Sequence, residues 1–137
     1  MRKPAPIIPV LLGFALLSLS SPALAQGPFR TEQVRFAKGA SSAAVNGAIK
    51  ADGGVSYALT VRAGQMLKVS LRTRNASARF NVIAPGVDQP LFNGSNARDY
   101  AGKTPVAGAY RIIVYMTEDA AMRNETADYV LTIGVTG

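Results

Sequence analysis

"YALTVRAGQMLKVSL", residues 57–71, carries the plainest β signal in the chain. Tyr57, Leu59 and Val61 alternate with Ala58, Thr60 and Arg62, and Leu67, Val69 and Leu71 alternate with Lys68, Ser70 and Arg72. A period of two puts the apolar set on one face of a strand and the polar set on the other. Ala63-Gly64 stands between the two runs as a turn signal, so the stretch reads as a hairpin.

The same rhythm extends to both sides. Residues 31–36 place Val34 and Phe36 on one face after a short Gln26-Gly27-Pro28 lead, and residues 43–49 make a weaker second strand. Beyond the hairpin, residues 80–83 form a short strand stopped by Ala84-Pro85-Gly86, and Leu91-Phe92 another before Asn93-Gly94-Ser95. In residues 110–116, Tyr110, Ile112, Val114 and Met116 face one way and Arg111, Ile113 and Tyr115 the other. Both faces are partly apolar, which predicts a strand central in its sheet. Residues 129–135 close the domain as the other sheet-forming strand. Residues 26–137 show no helical stripe with caps, no repeat and no low-complexity segment. About eight short strands separated by turns predict an all-β fold, an antiparallel two-sheet β-sandwich, with a small closed barrel as the alternative.

At the N-terminus, Arg2 and Lys3 precede an apolar run at residues 7–19, then Ser20, Ser21, Pro22 and the small-residue triplet Ala23-Leu24-Ala25. This is the pattern of a secretory signal peptide, residues 1–25, with cleavage before Gln26. The run is shorter than the roughly 20 apolar residues that span a bilayer, and no later stretch is apolar enough to do so. The expected mature protein, residues 26–137, is one domain that is periplasmic or secreted. The chain has 15 lysines and arginines against 8 acidic side chains, and loss of Arg2 and Lys3 leaves 13 against 8, a charge of +5.

The absent residue types exclude much chemistry. Without cysteine there are no disulfide staples, and folding rests on burial. Without histidine or cysteine the usual ligands of zinc, iron and copper are missing, as are the commonest general base and the strongest nucleophile. Glu32, Asp52, Asp88, Asp99, Glu118, Asp119, Glu125 and Asp128 fall almost all in predicted turns, where solubility and Asx-type hydrogen bonds explain them better than paired-carboxylate catalysis. No enzyme activity, metal or cofactor is expected. The cations are scattered singly, without the stripe or stacking aromatics of a nucleic-acid binder. Tyr57, Tyr110, Tyr115 and Tyr129 read as strand residues, and Tyr100 as nearer a loop. Asn75, Asn93 and Asn124 each begin a glycosylation triplet, which a cysteine-free domain behind an Ala-Leu-Ala cleavage site makes chance matches.

One stretch breaks the rhythm. Between the strands at 110–116 and 129–135, residues 118–124, "EDAAMRN", follow no period and hold no Gly or Pro. Together "VRFAKGASSAAVNGAIK" (34–50), "YALTVRAGQMLKVSL" (57–71), "FNVIAPG" (80–86) and "RNETADYVLTI" (123–133) resemble the bacterial periplasmic inhibitors of g-type lysozyme, over nearly the whole of residues 26–137. "VRAGQMLKVSL" and "VAGAYRIIVY" also resemble pre-peptidase C-terminal β-sandwich domains. The first resemblance implies a sandwich that plugs the active-site cleft of a lysozyme with loops and performs no chemistry. It implies tyrosines in the loop after "GAIK" and arginines in the loop before the last strand. Here residues 51–54 hold no tyrosine, and Glu118 and Met122 stand at arginine positions, whereas Arg123 and Asn124 match. The candidate partner-binding residues are therefore Asp52, Gly53, Gly54, Glu118, Asp119, Met122, Arg123 and Asn124, with g-type lysozyme as the expected partner. The alternative is a non-inhibitory secreted module that binds an anionic envelope polymer, peptidoglycan or lipopolysaccharide, or another periplasmic protein.

Overall fold

In the computed structural model, which describes residues 29–94 and 98–137, the chain forms β1 (Phe29–Gln33), β2 (Ser42–Lys50), β3 (Gly54–Val61), β4 (Met66–Thr73), β5 (Ala78–Ile83), β6 (Phe92–Asn93), β7 (Asp99–Lys103), β8 (Gly108–Met116), α1 (Glu118–Met122) and β9 (Thr126–Thr136). The signal-peptide reading of residues 1–25, and the lead at 26–28, lie outside the described residues. One sheet has the order β1-β3-β8-β5-β6 and the other β2-β9-β4-β7. The fold is the expected sandwich. Its pairings are antiparallel except that of β1 with β3, which is parallel.

The alternation at 57–71 is present, but it is not a hairpin. β3 pairs with β1 and β8, whereas β4 pairs with β7 and β9, so residues 62–65 carry the chain from one sheet to the other. Alternation specifies a buried face and says nothing about which strand lies alongside. The crossing is held from a distance by Thr104, only 3% exposed. Its hydroxyl donates to the Arg62 carbonyl (2.6 Å) and accepts from the Gln65 amide (3.0 Å), and its carbonyl accepts from Gly64 N (2.7 Å). Gly64, at φ +81°, takes the left-handed conformation that makes the bend.

β8 is the middle strand of its sheet, as its two-sided pattern predicts, with Tyr110, Ile112 and Val114 fully buried. They pack with Tyr57, Leu59, Phe80 and Val82 against Leu67, Val69, Leu71, Leu131 and Ile133 of the facing sheet. β7 has no counterpart in the sequence reading, because Asp-Tyr-Ala-Gly-Lys is a short, polar edge strand containing glycine. Tyr100 thus lies in β7, half-buried, with its ring 5.2 Å from that of Phe92.

One polar contact crosses the core. The hydroxyls of Tyr57 in β3 and Tyr129 in β9 lie 2.6 Å apart. Burial pushes both phenols above the usual tyrosine range, and the shared hydrogen bond pushes Tyr129 further. A buried hydroxyl left without its partner costs roughly 1–3 kcal/mol, so Tyr57→Phe should lower the thermal midpoint measurably. An unchanged midpoint would show that the pair contributes nothing.

Candidate functional site

The aperiodic stretch is a single helical turn. Thr117, extended at φ −62° and ψ 159°, caps α1 by accepting from the Ala120 amide, and Glu118 and Asp119 sit in the first turn, where the helix dipole favours negative charge. Among the five residues of α1 only Ala120 is buried, so one side chain is enough to seat the turn and no apolar stripe was there to be read. Asn124, at φ +56°, ends it in the left-handed conformation that Asn tolerates better than most residues. Glu118, Asp119, Met122, Arg123 and Asn124 are all exposed, and Met122, at 79%, is the most exposed of the large apolar side chains described.

The other candidate loop behaves differently. Asp52 is exposed, but Gly53 and Gly54 are buried and present no surface to a partner. A side chain at Gly54 would meet the Val114 carbonyl at 2.8 Å and the ring of Phe29, so the glycine lets β1 and β8 close around the start of β3. At this loop the contact surface reduces to Asp52.

The two loops nonetheless lie together at one end of the sandwich. β2 and β9 remain paired as far as Lys50 and Thr126, and the Ala51 amide then donates to the Glu125 carbonyl at 2.8 Å. The turn between β4 and β5 joins them. There Asn75 donates from Nδ2 to Glu125 Oε1 and to the Thr126 carbonyl, each at 3.1 Å, and Thr117 N donates to the Ser77 carbonyl at 3.1 Å. Asn75 Oδ1 accepts from Ser77 N at 2.8 Å, an Asx-type turn that fixes the amide. Arg123 donates from Nε to Glu125 Oε2 at 2.7 Å. The Arg123 guanidinium, and then the Asn75 amide, hold the Glu125 carboxyl below the usual carboxylate range.

Asn75 and Glu125 are the residues the sequence reading missed as members of this cluster. Asn75 had a local cue in its Asx-turn spacing with Ser77, and Glu125 had one in Arg123 two positions before it, but the contacts of Glu125 with Asn75 and Ala51, which join the loops, are distant along the chain. Beside the cluster, on the outer surface of β2, β9 and β4, runs an open groove of about 1500 Å³ lined by Asn46, Arg72, Arg74, Asn75, Thr126 and Asp128 among others. No group of three or more metal-ligating side chains occurs among the described residues, and none of their helices is long and apolar enough to cross a membrane. The arrangement is equipped to contact another molecule with charge and exposed loops.

No protein-family model matches the chain. The inhibitor of g-type lysozyme of Escherichia coli (strain K12) is 32% identical to it over 124 residues, covering 88% of this chain and 90% of that protein. A crystal structure from Aeromonas hydrophila, described as a periplasmic inhibitor of g-type lysozyme, is similar at 30% identity and a TM-score of 0.74, covering 79% of this chain and 97% of its own. Its counterpart from Salmonella Typhimurium is similar at 26% identity and a TM-score of 0.66, covering 78% of this chain and 98% of its own.

Proposed function

The chain belongs to the family of g-type lysozyme inhibitors, and from that membership we propose that it blocks such an enzyme with the loop cluster at the α1 end of the sandwich. It is an inhibitor and not an enzyme, its partner is a g-type lysozyme, and it works in the periplasm, as its structurally known relatives do. Residues 1–25 serve as the export signal in this reading, and residues 26–137 as the working domain.

The observation that carries the choice of surface is the convergence of three connections on Glu125, with Arg123, Met122, Glu118 and Asp119 projecting from the same turn. A lysozyme cleft presents carboxylates, and a guanidinium satisfies them through charge-assisted hydrogen bonds. Met122 adds an exposed, flexible apolar side chain that adapts to an irregular wall. Asp52 lies one loop away at the rim.

The test is a cell-wall clearing assay in which residues 26–137 are titrated against a g-type lysozyme, with a c-type lysozyme as the specificity control. Selective loss of g-type clearing is the expected result. Undiminished clearing at a large molar excess of inhibitor would overturn the proposal.

A further inference from the structure

Glu125 occupies an unusual place for a surface carboxylate. Its amide donates to the Ala120 carbonyl (3.1 Å), its carbonyl accepts from Ala51 N (2.8 Å), and its two carboxylate oxygens are divided between Asn75 Nδ2 (3.1 Å) and Arg123 Nε (2.7 Å). Asn75 is itself fixed by Ser77 N and by the Thr126 carbonyl. A carboxylate held at both oxygens does not swing freely, so neither does the guanidinium bonded to it. Arg123 is 58% exposed at the side chain, and Nη1 and Nη2 have no partner among the described residues.

We propose that Asn75 and Glu125 are positioning residues that present Arg123 to the lysozyme with its Nε edge occupied and its Nη1/Nη2 edge free, so that the group it takes is a carboxylate approaching end-on. The inference rests on the inhibitor reading above. The guanidinium has two edges able to meet a carboxylate bidentately, the Nε–Nη edge and the Nη1–Nη2 edge. Glu125 removes the first. What remains is one orientation, already ordered before the encounter, so the rotamer entropy of a long side chain is not lost again on binding.

A second role for Glu125 makes the opposite prediction. If the carboxylate merely damped the positive charge of Arg123, removing its charge would strengthen the attraction to an acidic cleft. Glu125→Gln therefore separates the two. Under the positioning role, Glu125→Gln and Asn75→Ala each weaken inhibition of the g-type lysozyme by about fivefold, the scale of re-ordering one long side chain. In an Arg123→Ala background neither change has any further effect, because there is no guanidinium left to position.

The free protein supplies a second readout. The Nε–H resonance of Arg123 should be protected from solvent exchange in the parent and lose that protection in both variants, with thermal midpoints recorded to register any damage to the fold. Tighter inhibition by Glu125→Gln, or losses that persist undiminished in the Arg123→Ala background, would overturn the assignment and leave these residues as supports of the loop only. Failure of the parent itself to inhibit would remove the inhibitor reading and this inference together, whereas failure confined to the two variants would remove this inference alone.

Discussion

Arg123→Ala should inhibit a g-type lysozyme on the order of a hundredfold less well than the parent. Truncating one partner of a hydrogen-bonded charge pair that becomes buried in an interface costs roughly 2–5 kcal/mol, and each 1.4 kcal/mol is about tenfold in affinity. The large figure follows from position. Among the candidate loop residues Arg123 is the only cation, with Glu118, Asp119 and Asp52 around it. A lysozyme carboxylate enclosed by this surface would have no other cation from that set to meet, and would be left desolvated and unpaired. The fold should tolerate the change, since the side chain is exposed and its bond to Glu125 is a surface ion pair, a class worth roughly 0–1 kcal/mol. Dissociation constants and thermal midpoints measured on the same protein decide the matter. Full inhibition by Arg123→Ala would move the contact surface away from this turn even if the protein remains an inhibitor.

Gly47→Val should lower the thermal midpoint by on the order of 15 °C. Gly47 stands opposite Tyr129 in the β2–β9 ladder, and the phenol ring lies across its backbone. A β-carbon there would overlap Tyr129 Oη and stand 2.5 Å from Cζ and 2.8 Å from Cε1. The ring has nowhere to retreat, being 4% exposed and hydrogen-bonded to Tyr57 across the core. Overpacking costs roughly 1–3 kcal/mol and the displaced hydrogen bond about 1 kcal/mol more. In a domain of this size each kcal/mol shifts the midpoint by about 4–8 °C. Gly134→Ala is the control, because the nearest atoms to a β-carbon there are 3.6 and 3.7 Å away. Equal losses at the two positions would refute the packing argument.

The contrast between these sites marks where sequence reasoning runs out. The face a strand buries is a local property with a period of two, and β8 and β9 were legible because their alternation is strong. Pairing is a property of distant segments. The stretch at 57–71 therefore displays its buried faces while concealing that β3 and β4 belong to different sheets. α1 escaped because burial of Ala120 alone leaves no pattern. At the site, Arg123 and Met122 were visible as exposed side chains in an aperiodic loop, but Glu125 gains its meaning from Asn75, 50 positions earlier. Gly53 and Gly54 read as loop residues available to a partner, and only the approach of Phe29 and Val114 shows why no side chain fits at Gly54.

The crossing held by Thr104 has a consequence for how the chain acquires its shape. With residues 57–71 divided between two sheets, that stretch supplies no hairpin, and the one pairing of consecutive strands among those described is the short one of β5 with β6. β3 has β1 beside it but gains its second neighbour only with β8, β4 has β7 on one edge and gains the other only with β9, and β2 pairs with β9 alone. Loop-closure entropy must be met before such distant pairings stabilise anything, which places topologies of this kind on the millisecond-to-second side of folding rates. The four-stranded sheet has no centre until β9 arrives. Strands β1, β3, β5, β6 and β8 can complete one sheet without β9, whereas the other sheet joins β2 to β4 only through β9, so the two layers of the sandwich become available to each other at different stages of chain growth.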